Sequence, residues 1–120
     1  MFRIINFYAY RATDIKKIVK IFKWMESYNP SVVTIQEIHV KNALMVFGEK
    51  YQVVINIESS SLDGIGICVL VKKNIKIHDQ ILGINGRIIG ISLGNLNIFN
   101  LFSIFSRGVA SFDEIVGKRL

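Results

Sequence analysis

Short apolar runs and one stretch of three-to-four spacing divide this chain into predicted strands and helices. Phe2 to Phe7 is apolar and rich in Ile and Phe, which predicts a buried strand. From Ile15 the apolar residues fall at Ile15, Ile18, Val19, Phe22 and Met25, the one-face pattern of an amphipathic helix, with Thr13 and Asp14 as caps. Lys16, Lys17, Lys20 and Lys23 fill the other positions and read as a solvated outer face rather than a phosphate track. Asn29-Pro30 stops the helix, and Ser31 to Ile35 predicts a second buried strand. A strand-helix-strand unit is right-handed and makes its two strands parallel.

The rest of the pattern predicts a meander. Asn42 to Phe47 reads as a short helix, and Tyr51 to Ile57, Gly66 to Lys72 and Ile75 to Ile81 as strands. Arg87 to Leu93 and Leu96 to Phe102 form a hairpin through Gly94-Asn95, and Ala110 to Val116 is a last short helix. One crossover followed by antiparallel strands implies an α/β (α+β) chain: one mixed sheet with helices on one face. Its expected core is Ile4, Ile5, Val33, Ile35, Val69, Val71, Ile89 and Ile98.

Composition adds limits. The chain is 51% hydrophobic and 20% charged, with a single proline and no linker, so residues 1–120 read as one globular domain. The net charge of +6, from 15 Lys+Arg against 9 Asp+Glu, suits a nucleic-acid partner or an anionic surface. Cys68 stands alone in an apolar run and reads as a small buried hydrophobe. The first residues lack the pattern of a signal peptide. Ile88 to Phe105 is uncharged and long enough to raise a transmembrane reading, but Asn95, Asn97 and Asn100 break it. The expectation is an intracellular protein, nuclear or cytoplasmic, without a membrane partner.

Candidate chemistry lies where the two parallel strands end, because ligands collect at strand ends in open α/β sheets. Glu37 follows the second strand and is the type of hard oxygen ligand that Mg²⁺ takes. Asn6 lies near the end of the first strand, where its amide orients a phosphate or a carboxylate. The parallel crossover is expected to set the two side by side.

The segments Asn6-Phe7-Tyr8-Ala9-Tyr10-Arg11, Trp24, Asn29-Pro30 and Gln36-Glu37-Ile38-His39 recur in the order of a known family. So do Gly66 to Val71, Gly86-Arg87-Ile88-Ile89 and Asn100-Leu101-Phe102. From about Phe2 to Phe105 the chain resembles the endonuclease/exonuclease/phosphatase superfamily, and most the apurinic-type endonuclease domain of non-LTR retrotransposons. The resemblance implies the front part of a four-layered, deoxyribonuclease-like α/β-sandwich. It also implies Mg²⁺- or Mn²⁺-dependent phosphodiester hydrolysis on DNA. By position, Glu37 is the metal ligand and catalytic with Asn6; Asn6, Tyr8 and Arg11 meet the substrate. His39 and Phe102 are supporting residues, with Phe102 at the family's Tyr position.

The departures carry weight. Tyr8 and Ala9 replace an Asn/Asp and a Gly, Phe102 lacks the phenolic hydroxyl, and Ser103-Ile104 replaces Ala-Pro. The family's later Gly-Asp-Phe-Asn and Ser-Asp-His segments do not occur. Two functional classes therefore stand: the N-terminal part of a DNA endonuclease, or a catalytically dead remnant with at most weak nucleic-acid binding. A phosphatase of the same superfamily is a weaker third. A missing C-terminal half, or another chain, would be needed to complete the fold. With chiefly one sheet present, the inner face is expected to be an exposed apolar patch. Arg87 and Arg107 are further phosphate candidates, Asp63 reads as a loop residue, and His78 as a surface residue on a strand.

Overall fold

A computed structural model describes residues 2–101. Its elements run β1 (Ile4–Ala12), α1 (Ile15–Glu26), β2 (Val32–His39), α2 (Val40–Phe47), β3 (Tyr51–Asn56), β4 (Ile65–Lys72), β5 (Asp79–Leu82), β6 (Ile88–Ser92) and β7 (Asn97–Leu101). A 3₁₀ turn, Ile84–Gly86, joins β5 to β6. The expected final helix and the positions of Phe102 and Arg107 lie outside the described residues.

The strands form two sheets, not the single mixed sheet expected. One is β1-β2-β4-β3, with β1 and β2 parallel and the other pairs antiparallel. The other is the antiparallel meander β5-β6-β7. The reason is visible in β4, where Gly66 to Val71 are all buried. A strand apolar on both faces needs a layer on each side. Cys68 and Leu70 join Val33, Ile35, Ile18, Met25 and Phe47 under the helices. Ile67, Val69 and Val71 join Val32, Val54, Ile89, Ile91 and Ile98 between the sheets. The molecule thus has a helical layer, a four-stranded sheet and a three-stranded sheet, in keeping with part of a deoxyribonuclease-like sandwich. The inner face expected to be bare is covered over β2, β3 and β4.

That cover stops short of β1. Val32, Thr34 and Gln36 on β2 are buried, whereas their register partners Ile4, Asn6 and Tyr8 are exposed. Ile4 is therefore not a core residue, being 49% exposed on an edge strand. Ile5 and Phe7, on the opposite face, pack against the helical core.

Helix α1 starts where Asp14 accepts a hydrogen bond from Lys16 N at 3.1 Å and caps the first turn. It buries Ile18, Ile21 and Met25, and its lysines face outward. Burial among apolar neighbours pushes the Cys68 thiol up to about 12, which suits packing and not reactivity. Several boundaries move. The strand expected over Ile75 to Ile81 contracts to β5, with Ile75 and Ile77 packed against the inter-sheet core instead. The uncharged stretch from Ile88 enters β6 and β7, joined by a turn in which Gly94 adopts φ +95 and Leu93 N donates to Leu96 O. Among the described residues no helix is long and apolar enough to cross a membrane.

Candidate functional site

The first and second strands both run further than their apolar runs suggest, and each breaks its register at the chemically interesting residues. On β2, Gln36 pairs with Ile67 of β4 and Ile38 with Gly66, so Glu37 has no partner on β4. Glu37 adopts φ 56, a left-handed conformation that a side-chain-bearing residue rarely takes. Such a bulge re-aims side chains. Without it, strict alternation after Val33 and Ile35 would send Glu37 into the core beneath the helices. With it, Ile38 takes that place at 0% exposure. Glu37, expected just past the strand end, is thus inside the strand and half-buried.

β1 bulges beside it. Tyr8 pairs with Gln36 and Ala12 with Ile38, which leaves Ala9, Tyr10 and Arg11 against the single residue Glu37. Tyr10 and Arg11 have φ 52 and 60. Left-handed side-chain-bearing residues cost about 1–3 kcal/mol each and cluster at functional sites. Three such residues face one another across two adjacent strands.

The side chains divide into two connected groups. In the first, Asn6 Oδ1 accepts from Thr34 Oγ1 at 2.6 Å and from Gln36 Nε2 at 2.8 Å. Gln36 Nε2 also donates to Asn100 Oδ1, and Asn100 Nδ2 donates to the carbonyls of Ile35 at 3.1 Å and Cys68 at 2.9 Å. This network holds the Asn6 amide through its Oδ1, on a residue that is itself exposed on the edge strand. In the second, the Tyr8 hydroxyl donates to Glu37; that bond, with some desolvation and the carboxylate's charge, raises the phenol's pKa.

Glu37 opens on a cleft of about 410 Å³ that Arg11, Glu58, Ser61, Asp63 and Arg87 also line. Arg11 forms an ion pair with Asp63. Asp63 is held by Ile65 N at 3.0 Å and by the Ser61 hydroxyl at 2.9 Å, and these bonds together with Arg11 lower its pKa. The floor closes because Gly86, at φ +70, lets the 3₁₀ turn approach the backbone of Ile57 and Glu58; a Cβ there would lie 2.4 Å from Glu58 N.

Asn6 does not line the cleft; it reaches Gln36, while Tyr8 reaches Glu37. His39 caps α2, its Nδ1 accepting from Asn42 N at 3.2 Å, and its ring packs where a Cβ on Gly64 would fall. That contact makes His39 a brace for the loop behind the cleft. Sequence reasoning missed Thr34, and it named Asn100 and Asp63 without giving either its role in the site. The signal for Thr34 and Gln36 was present: polar residues alternating with Val33 and Ile35 on a wholly buried strand require partners inside.

Mg²⁺ commonly takes one or two carboxylates and fills its remaining sites with water and phosphate. Glu37 fits that use: the residue lines the cleft, and its carboxylate has one hydroxyl partner, Tyr8. Among the described residues no three or more His, Cys, Asp or Glu side chains group to hold an ion by themselves.

No protein-family profile matches the chain, and no curated protein does. A solved structure does: that of truncated TDP2 from Caenorhabditis elegans, with a TM-score of 0.50 and 16% identity over 72% of this chain. The chain spans 38% of that protein. The likeness is one of fold alone, and it agrees with part of a deoxyribonuclease-like α/β-sandwich.

Proposed function

We propose that this chain carries the metal-side part of a divalent-metal-dependent phosphodiesterase site of the endonuclease/exonuclease/phosphatase superfamily. We assign it the retrotransposon-type DNA endonuclease branch. The observation that carries the reading is the bulge at Glu37. It moves a carboxylate out of the core-facing row and onto the cleft, beside the strand bearing Asn6, at a cost in backbone strain that packing alone does not require. The likeness to TDP2 supports the superfamily, and the ordered motif blocks around Gln36-Glu37 support the branch.

In this reading Glu37 holds Mg²⁺ or Mn²⁺, which when bound neutralises charge developing on the phosphoryl oxygens. The amide NH₂ of Asn6, whose Oδ1 is already engaged, orients a phosphate oxygen, and Arg11 offers its remaining guanidinium donors to the same anion. DNA is the partner that the net charge of +6 favours.

A second reading, a catalytically dead remnant, rests on Tyr8. Its hydroxyl donates to the carboxylate that the ion would need and competes with it there. Asp63, the other carboxylate on the cleft with partners described, is already engaged by Arg11, Ser61 and Ile65 N.

Mn²⁺ binding followed by paramagnetic resonance, with plasmid nicking in parallel, tests both. Wild type is expected to bind Mn²⁺ weakly, and Glu37→Gln to lose that binding. Equal binding by both would remove Glu37 as the ligand and the reading with it. The 120-residue chain alone is expected not to nick plasmid with Mg²⁺, since loss of one positioned acid–base group already costs about 10²–10⁴ in rate. Nicking that vanishes in Glu37→Ala would exclude the remnant.

A further inference from the structure

Tyr10 has no role in the site described above, yet its position is unusual. It is 74% exposed, although a tyrosine ring gains by burial. It holds φ 52 between two residues that serve the cleft, Tyr8 through Glu37 and Arg11 through the lining itself. Its ring meets Tyr8 edge to face, with centroids 4.4 Å apart. Tyr8 is in turn held by its bond to Glu37. Arg11 is steadied by Asp63, which uses one guanidinium nitrogen, Nη2. The consecutive left-handed residues therefore carry an exposed ring braced on Tyr8 and, next along the chain, a guanidinium that lines the cleft.

We propose that Tyr10 is a stacking shelf for an unpaired nucleobase, adjoining the phosphate received by Arg11 and the Glu37 cleft. An aromatic face next to a phosphate-binding cation matches one nucleotide: π-surface on one side, anion on the other. Bases within a duplex have both faces covered by their neighbours, so the shelf selects single-stranded or locally opened DNA. Stacking does not read sequence, so the preference is for an available base and not for a particular one. The exposed Arg11–Asp63 pair is weak enough for a phosphate to share Arg11. This inference rests on reading the Glu37 cleft as a phosphodiester site.

The test compares binding of the full chain to fluorescent oligo(dT) and to an abasic oligodeoxynucleotide of equal length, by anisotropy at one low salt concentration. The two probes carry the same phosphates and differ only in bases. Wild type is expected to bind oligo(dT) about 10-fold more tightly than the abasic strand, the size of one base–aromatic stack. Tyr10→Ala should erase that difference and leave abasic binding unchanged, while Tyr10→Phe and Tyr10→Trp should keep it. Circular dichroism of each variant secures the comparison, and the exposed position makes loss of folding a minor concern. Equal binding of both probes by wild type, or an equal loss on both in Tyr10→Ala, overturns the shelf. The parent reading is read separately, from Mn²⁺ binding in Glu37→Gln. Mn²⁺ binding lost in that variant, with no base preference in wild type, would sink the shelf alone. Base preference with Mn²⁺ binding unaffected by Glu37→Gln would sink the metal site alone.

Discussion

Gln36 donates through one amide nitrogen to Asn6 on its own sheet and to Asn100 on the other, so a single buried side chain joins the candidate site to the contact between the sheets. Asn100 completes the join by donating to two backbone carbonyls of the four-stranded sheet, Ile35 O and Cys68 O. It is 1% exposed, so none of these bonds can be replaced from bulk water without opening the interface.

Asn100→Ala should therefore destabilise the fold by about 2–4 kcal/mol, because it leaves Gln36 and two carbonyls wanting partners in a dry interior. Urea denaturation checks this. A loss below half a kcal/mol would mean that the sheets do not meet through Asn100.

The bulge at Glu37 makes an opposite kind of prediction. At φ 56 glycine is at ease and alanine is not. Glu37→Gly should be more stable than Glu37→Ala by about 1 kcal/mol, reversing the usual order of the two residues within a strand. Chemical denaturation of the pair decides it. Alanine equal or better would place Glu37 in regular strand, pointing at the helical core.

The Tyr8 hydroxyl competes with any cation for the Glu37 carboxylate. Tyr8→Phe removes the donated hydroxyl and leaves the ring packing against Tyr10. Mn²⁺ affinity should rise several-fold, about the worth of a hydrogen bond to a charged group at an exposed position. The phenol's raised pKa should disappear from a pH titration of tyrosine absorbance in the same variant. Unchanged Mn²⁺ affinity would show that the hydroxyl does not guard the carboxylate.

Acid sensitivity follows from two other carboxylates. Burial pushes Glu26 upward, but the Tyr51 hydroxyl at 2.8 Å and Lys50 at 3.1 Å outweigh it, so its pKa lies below the ordinary 4.5. Asp63 lies below its ordinary 3.8, chiefly through the Ile65 amide and the Ser61 hydroxyl. A depressed carboxylate stabilises the fold fully above its ordinary value, and that share is lost as pH falls through the folded value. Stability should thus hold down to the ordinary carboxylate range and fall below it. Tyr51→Phe should cost about 1–2 kcal/mol near neutrality and reduce the acid dependence, measured by urea midpoints across pH. An acid slope unaltered by Tyr51→Phe would detach Glu26 from it.

Local pattern was enough to place α1, β2 and β4 and to say which of their sides are apolar. The three-to-four spacing from Ile15, the Asn29-Pro30 stop and the apolar run through Cys68 are local patterns, and each element formed where its pattern lies. The order of those patterns also sufficed for the parallel crossover of β1 and β2, because chain handedness leaves one way to make it. Placing Asn6 and Glu37 on neighbouring strands needed nothing more. Tertiary structure decided how they point. A bulge sets extra residues of one strand against fewer of its partner, and neither Glu37 nor Tyr10-Arg11 carries the glycine that would announce it. The separate second sheet was likewise invisible to pattern, since a strand's alternation shows that a face is buried and not what buries it. Hence Ile4 reads as core but stands at the bare edge, and Asp63 reads as loop but holds Arg11. Such pairings join residues far apart along the chain, and only packing brings them within reach.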